Sequence, residues 1–388
     1  MPETRVNREA LLHFLQELIQ INSVNPSLSD SGAGEADIAR HIGGHLNKLG
    51  LAVHFQELQK NRVNVIAVLK GTGGGQSLML NGHTDTVSAE NMTTDPFCPQ
   101  IKDGKLYGRG ALDMKAGVAA QIMAVQTLLE AQIELKGDVI ITLVADEEYA
   151  SMGTEAIVNE YRADAAIICE PTDLDIVIAH KGFAWIKIEI SGHAAHGSLP
   201  HRGIDAIAKA GKVLTAIEHL GRTHLTRKTH PLLGSPSIHA SLIRGGTELS
   251  TYPDYCKIEL ERRNLPGEDH RMVTEEIQRL LQDIQSQDDQ FKADFDVFFF
   301  RPAYEISPDQ PIVQTVSRAC QSIRHQAPKY EGMWAWLDSA ILAQAGIPTV
   351  IFGPSGDGLH AAVEYVDVDS VVTTAEVLVR SITNFCNQ

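Results

Sequence analysis

Residues 78–87 have the sequence LMLNGHTDTV, in which an apolar run leads into a histidine and an aspartate. The arrangement recurs at 139–148, where VIITLVA leads into DEE, at 165–170, where AAIIC leads into a glutamate, and at 349–360, where TVIF precedes a glycine-rich stretch ending in a histidine. Near-continuous apolar strands separated by helices are typical of a mostly parallel sheet covered on both faces. Ligands bind at the carboxyl ends of such strands, so we expect these polar side chains to meet at one edge.

Further along the chain, a different pattern predicts a second domain. The expected elements have the order β-α-β-β-α-β, which is the ferredoxin-like plan. They are strands Ala184–Ile190, Ile238–Ile243, Tyr255–Leu260 and Phe291–Phe300 and helices Gly203–Leu220 and Val273–Leu281. We therefore expect an α/β catalytic domain over residues 1–181 and 301–388, with a mixed, mostly parallel sheet, and an inserted α+β domain over residues 182–300.

Composition limits the class of protein and its partners. The chain has 388 residues, which predicts two or three domains of about 150 residues each. Its 33 basic and 49 acidic residues leave a net charge of −16, which argues against nucleic acid or an anionic membrane as the main partner. Scattered cysteines, together with the absence of a signal peptide or a long apolar run, predict reduced thiols and a cytoplasmic protein.

The polar residues at the strand ends indicate a metal centre. Imidazoles and carboxylates that converge on one edge need compensating positive charge, and no lysine or arginine cluster accompanies them in the sequence. A pair of divalent cations supplies that charge. Nitrogen and oxygen ligands without cysteine favour Zn²⁺, with Co²⁺ or Mn²⁺ as alternatives.

Four blocks of sequence carry a family resemblance: GHTDTV at 82–87, ALDMKAG at 111–117, DEE at 146–148 and CEPT at 169–172. They resemble, in order, the signature blocks of the co-catalytic zinc amidohydrolases and peptidases. That family includes acetylornithine deacetylase, succinyl-diaminopimelate desuccinylase, aminoacylase and glutamate carboxypeptidase. The similarity covers essentially the whole chain, and it implies a zinc-exopeptidase-like catalytic domain with an inserted lid and dimerisation domain.

The resemblance implies five metal ligands in this sequence. His83 and Glu170 would bind one ion, Glu148 and His360 would bind the other, and Asp113 would bridge the two. None of these positions departs from the family pattern.

Two further carboxylates receive catalytic roles from the same resemblance. Asp85 would hold the second ring nitrogen of His83, which fixes the tautomer and raises ligand basicity. Glu147 would be the general base that takes a proton from water and passes it to the leaving amine.

The inserted domain carries the remaining expected site residues. His196 matches the family histidine that reaches the partner's active site in a dimer and stabilises the oxyanion, with His193 and His201 as nearby alternatives. Arg263 aligns with the arginine that binds a substrate carboxylate, and an intradomain salt bridge is the alternative. Ser250 replaces a common asparagine at a substrate-binding position.

These features predict a metal-dependent hydrolase of linear amide bonds that uses metal-activated water. We expect it to cleave an N-acyl amino acid, preferably an N-acetyl one, and to form a homodimer through the inserted domain. A dipeptidase or carboxypeptidase and a desuccinylase of the same family are alternatives, because the stretch 334–340 departs from the family pattern at a substrate-binding position. A catalytically silent protein that binds metal or an amino acid is the alternative of another class.

Overall fold

The computed structural model describes residues 5–388, and the chain divides into two compact units. The first unit comprises the chain up to Ile178 together with Ile306–Glu331 and Leu337–Gln388, and the second comprises Ala179–Glu305 and Gly332–Trp336. Within the described residues, no helix is long and apolar enough to cross a membrane.

The α-helices of the described chain are α1 (Arg8–Gln20), α2 (Ala36–Lys48), α3 (Lys115–Glu130), α4 (Met152–Glu160), α5 (Ala206–His219), α6 (His270–Gln287), α7 (Pro311–Arg324), α8 (Ser339–Gln344) and α9 (Val368–Cys386). The strands are β1 (Val53–Gln59), β2 (Arg62–Leu69), β3 (Leu78–His83), β4 (Gln100–Lys102), β5 (Lys105–Tyr107), β6 (Val139–Val144), β7 (Ala165–Ile168), β8 (Ile176–His180), β9 (Gly182–Ser191), β10 (Ser237–Gly245), β11 (Tyr255–Asn264), β12 (Lys292–Arg301), β13 (Tyr304–Glu305), β14 (Tyr330–Met333), β15 (Thr349–Ile351), β16 (Gly356–Asp357) and β17 (Tyr365–Asp367).

The central sheet of the first unit is mixed, as the apolar strand pattern predicts. Its strands run in the order β1-β2-β6-β3-β7-β15-β8. Strand β3 pairs in parallel with β6 and β7, and β15 pairs in parallel with β7, whereas β1, β2 and β8 join antiparallel. Every residue of β3, β6 and β7 is buried, which explains their continuous apolar runs.

Helix α3 lies very close to the end of β7. A Cβ added at Gly117, in the first turn of α3, would come within 2.1 Å of the Cys169 carbonyl oxygen. Only glycine allows this approach, because any larger residue would collide with the main chain. The close packing places the N-terminus of α3 beside Cys169, which follows β7 and directly precedes Glu170.

The second unit has the predicted ferredoxin-like plan. Its sheet is antiparallel throughout, with the order β10-β11-β9-β12, and α5 and α6 pack against it. Alternate residues of β9 are buried, so that Ala184, Ile186, Ile188 and Ile190 join the core of this unit. Its role as a lid and dimerisation domain stays a prediction.

Strand β1, helix α4 and a small second sheet of the first unit were not predicted from the sequence. Strand β1 is mostly exposed and polar, so it carries no apolar run. A small antiparallel sheet of order β16-β17-β5-β4 has strands of two or three residues, which are too short for any periodicity to show. This small sheet pairs residues 105–107 with 365–367 and thereby joins the segments that flank Asp113 and His360.

All five cysteines are free thiols, as expected from their spacing, and only Cys98 is exposed. Burial raises the pKa of Cys169 to about 12, which keeps that thiol protonated and unreactive.

Candidate metal centre

The ends of three neighbouring strands supply polar side chains to one edge of the central sheet. His83 is the last residue of β3, Glu147 and Glu148 follow β6, and Glu170 follows β7 by two residues. Because β3 pairs in parallel with both neighbours, these three ends lie side by side.

The first cluster contains His83, Asp113 and Glu170. The Nε2 atom of His83 lies 3.0 Å from Oδ1 of Asp113 and 3.4 Å from Oε1 of Glu170. One ligand atom from each residue lies within 4.8 Å of the others, so one cation can reach all three.

The second cluster contains Asp113, Glu148 and His360. The Nε2 atom of His360 lies 3.4 Å from Oδ2 of Asp113 and 3.2 Å from Oε2 of Glu148. Asp113 therefore presents a different carboxylate oxygen to each cluster, which is the arrangement of a bridging ligand. The side chain of His360 is 55% exposed, so this cluster is the more open one.

The His83 ring has an orientation suited to a metal ligand. Its Nδ1 atom lies 2.9 Å from the backbone carbonyl oxygen of Asp85. Because a carbonyl oxygen can only accept a hydrogen bond, Nδ1 carries the hydrogen and donates it. In the neutral ring, the lone pair of Nε2 then faces two carboxylate oxygens and is repelled by them. A cation between these atoms would remove the repulsion.

The electrostatics of the clusters indicate missing positive charge. Burial, reinforced by the neighbouring Asp113 carboxylate, raises the pKa of Glu148 and of Glu170 to about 7. Burial also raises the pKa of Glu147 well above its usual range, with Glu170 and Asp338 acting in the same direction. In addition, the buried Oε1 atom of Glu148 has no hydrogen-bond partner among the described residues. The residues present therefore fit a pair of divalent cations, which would neutralise the carboxylates and bind the unpaired oxygen.

Asp85 contacts the turn that carries Glu147 and Glu148. Its two carboxylate oxygens accept hydrogen bonds from the backbone N–H groups of Glu147 and Glu148, each at 3.2 Å. Nδ1 of His83 lies 3.6 Å from Oδ1 of Asp85 but only 2.9 Å from the backbone carbonyl oxygen of Asp85. Asp85 thus orients the His83 ring mainly through its main chain, and its carboxylate orients the glutamate pair.

Two residues in this surrounding network, Asn25 and Arg62, were not predicted from the sequence. The side-chain amide of Asn25 donates to Asp85 at 2.8 Å and to Asp146 at 3.0 Å, and Arg62 donates to Asp146 at 2.7 Å. Asp146 has φ 73°, a left-handed conformation that is unusual for a residue other than glycine, and these bonds support it. Asn25 and Arg62 lie outside all the sequence motifs, so no local pattern marks them.

The other expected site residues, His196, Ser250 and Arg263, belong to the second unit. His196 is exposed, and its Nδ1 accepts a hydrogen bond from the backbone N–H of Ser198 at 3.2 Å. The neutral ring therefore carries its proton on Nε2, which can donate elsewhere. Ser250 is exposed beside this loop, and its carbonyl oxygen accepts from Gly197 at 2.7 Å.

Arg263 makes the intradomain salt bridge that was its alternative role. Its Nε donates to Oε1 of Glu261 at 2.7 Å, and its guanidinium carbon lies 5.3 Å from the centre of the Phe183 ring. Its side chain is 31% exposed, so its remaining donors are accessible. The neighbouring Arg262 is buried and bound to Glu268 and Glu276.

The sheet edge and the paired clusters define the chain as an α/β protein with a candidate two-cation centre. A family model described as peptidase family M20/M25/M40 matches residues 79–384, which is most of the chain, and the chain belongs to that family. The resemblance inferred from the signature blocks is thereby confirmed.

Two relatives have activities that bear on this protein. The chain is 30% identical to the N-formyl-4-amino-5-aminomethyl-2-methylpyrimidine deformylase of Bacillus subtilis (strain 168), over 98% of this chain and 96% of that protein. It is 31% identical to the acetylornithine deacetylase of Myxococcus xanthus, over 84% of each chain. Together with the family, these relatives make the chain a hydrolase that acts on amide bonds.

Solved structures share the fold over nearly the full length. The aminopeptidase PepT from Bacillus cereus superposes with a TM-score of 0.81 at 23% identity, covering 99% of this chain and 100% of that one. The YXEP protein of Bacillus subtilis, described as a dinuclear metal binding peptidase, superposes with a TM-score of 0.75 at 17% identity, covering 98% of this chain and 99% of that one.

Proposed function

We propose that this protein cleaves the amide bond of an N-acyl amino acid, preferably an N-acetyl one. The observation that carries the proposal is the pair of clusters that share Asp113, with Glu147 beside them and free of any ligand role. Two ligand sets with a common carboxylate are suited to hold two cations on one amide group. The relatives named as a deacetylase and a deformylase support an N-acyl substrate.

The chain's own residues would divide the chemistry in the following way. When bound to the five ligands, two divalent cations would polarise the amide carbonyl and lower the pKa of an attacking water. Glu147 takes the proton of that water and passes it to the leaving amine, a task for which a raised pKa is favourable. The Nε2–H group of His196 donates to the oxygen that becomes negative, and Arg263 binds a substrate carboxylate.

We propose Zn²⁺ as the resident metal, with Co²⁺ or Mn²⁺ as alternatives. Each cluster offers an imidazole nitrogen and carboxylate oxygens without a thiolate, which suits these ions. We also propose a cytoplasmic location, which the five free cysteines support.

We further propose a homodimer formed through the second unit. Strand β10 lies at an edge of its sheet, and all its residues except Ile238 are exposed, including the apolar Leu242 and Ile243 at 50% each. An edge strand with exposed apolar residues can pair with the same strand of a second copy. Such a dimer would allow His196 to serve the partner's active site, as expected from the resemblance.

Deformylation of an N-formyl aminomethylpyrimidine is a second candidate function. Its substrate has no carboxylate and therefore does not require Arg263, whose Nε atom already donates a hydrogen bond to Glu261. The second unit also has an aromatic cluster, in which Trp185 stacks on Phe299 at 4.9 Å and Phe183 lies 5.4 Å from Trp185. Rings of this kind suit a planar heterocycle.

Amine release from a panel of amides would test the proposal. The panel contains N-acetyl, N-succinyl and N-formyl amino acids, simple dipeptides and an N-formyl aminomethylpyrimidine, each with added Zn²⁺ or Co²⁺ and again with a chelator. We expect chelator-sensitive turnover of N-acetyl amino acids. Turnover of the formylated pyrimidine alone would favour the second candidate, and turnover of dipeptides alone would favour a peptidase. A chain that binds no metal and hydrolyses nothing would support the silent binder.

A further inference from the structure

Glu364 is a buried carboxylate whose hydrogen bonds converge on the segment that carries Asp113. Its Oε1 accepts from the backbone N–H groups of Leu112 at 2.8 Å and Asp113 at 3.1 Å. Its Oε2 accepts from the backbone N–H of Gly110 at 3.0 Å and from Nη1 of Arg109 at 2.8 Å. Four donors of one short segment thus meet one side chain that is only 1% exposed.

Arg109 extends this network to the loop that carries His360. Its Nη2 donates to the Ala361 carbonyl oxygen at 3.2 Å and to Oδ1 of Asn91 at 3.0 Å. The amide of Asn91 in turn donates to the carbonyl oxygen of His360 at 3.2 Å. Glu364 and Arg109 therefore join the main chain at Asp113 to the main chain at His360.

His360 needs such support more than the other expected ligands do. Its φ is 58°, in the left-handed region that residues other than glycine seldom adopt. It also stands on an irregular loop with a half-exposed side chain, whereas His83 ends a fully buried strand. A residue in this position keeps its conformation only where its surroundings determine it.

We propose that Glu364 is a positioning residue, which holds Asp113 and His360 at the spacing that two cations require. The inference rests on the proposed function, since it assumes that these residues bind cations. A carboxylate is required because its oxygens can accept all four hydrogen bonds, whereas an amide presents an NH₂ group to two of the donors. The rival explanation is a buried ion pair that serves folding alone.

The test compares Glu364→Gln with a matched control, Glu268→Gln. Glu268 is likewise buried and accepts from an arginine, Arg262, and from a backbone N–H, that of Leu265, but it lies in the second unit. The purified full-length chains are titrated with Co²⁺, with cation content, visible Co²⁺ absorption and thermal unfolding of the metal-free form as readouts.

We expect both variants to unfold at lower temperature than the wild type, because each loses a buried pair. Only Glu364→Gln should bind Co²⁺ more weakly, by about 10- to 100-fold, with an altered absorption spectrum. Both clusters should be affected, since they share Asp113.

A second variant keeps the test decisive if Glu364→Gln does not fold. Asn91 is exposed, so Asn91→Ala should fold and weaken only the binding step that involves His360. Wild-type affinity and spectrum in Asn91→Ala, or in Glu364→Gln if that variant folds, would overturn the positioning role while leaving the proposed function intact. A wild-type chain that binds no Co²⁺ would instead overturn the proposed function and this inference with it.

Discussion

At the scale of single residues, the assignment of Glu147 as the general base gives a direct prediction. Glu147→Gln keeps the shape of the side chain and removes its ability to accept a proton. We expect kcat to fall by about 10²- to 10⁴-fold while two cations stay bound, because Glu147 lies outside both ligand clusters. Metal analysis and steady-state kinetics on the same preparation check both parts. Glu134→Gln, at an exposed position of the same unit, is the control and should match the wild type. Near-normal kcat in Glu147→Gln would refute the assignment.

His196 gives a second prediction at this scale. Because Ser198 N–H occupies Nδ1, the free donor of the neutral ring is Nε2–H, which suits a developing oxyanion. His196→Ala should therefore lower kcat by about 10²- to 10³-fold with cation affinity unchanged, as measured by kinetics and Co²⁺ titration. His193→Ala, at another exposed histidine of the same loop, is the matched comparison. If His193→Ala alone lowers kcat, His193 is the donor. Loss of metal from His196→Ala would make His196 a ligand.

At the scale of elements, the buried pair between Arg262 of β11 and Glu268, in the turn before α6, controls how the second unit responds to acid. Burial alone would raise the pKa of Glu268, but hydrogen bonds from Arg262 and Lys228 outweigh it and lower the pKa to about 2. A carboxyl group whose pKa is lower in the folded than in the unfolded chain stabilises the fold fully at a pH above its ordinary pKa of 4.5. This stabilisation is lost as the pH falls towards 2.

We therefore expect Glu268→Gln to destabilise the second unit by about 3–5 kcal/mol near neutral pH, with a difference from wild type that shrinks below pH 4.5. Thermal unfolding and hydrogen exchange of the α6 amides, followed against pH, measure this. Glu275→Gln removes only an exposed pair with Arg279, and its effect should stay within about 0.5 kcal/mol. A pH-independent difference for Glu268→Gln would contradict the lowered pKa.

At the scale of the whole molecule, the exposed edge of β10 predicts the state of assembly. We expect the wild type to have twice the 42.3 kDa mass of the chain in light scattering. The double variant Leu242→Lys with Ile243→Lys should be monomeric, because lysines on an edge strand oppose pairing with a second strand. Ile101→Lys, at an exposed apolar residue of the first unit, should leave the mass unchanged. A monomeric wild type, or a double variant that stays dimeric, would exclude β10 as the interface.

The sequence by itself determined the mixed α/β sheet, the ferredoxin-like plan of the second unit and the family. Each of these depends on local information: an apolar run of four to seven residues, or a block of residues that are consecutive in the chain. The convergence of His83, Glu148 and Glu170 on one edge could be predicted for the same reason, because each lies at or just after the end of a buried strand and parallel strands end at a common edge.

Only the tertiary structure decided which distant residues surround those side chains. Asn25 contacts Asp85 across 60 positions of sequence, and Glu364 contacts Leu112 across 252. The structure alone also shows that Nε of Arg263 donates to Glu261, although the two residues are only two positions apart in β11. The physical reason is that a hydrogen bond depends on distance and angle in space, and neither leaves a period or a motif in the chain.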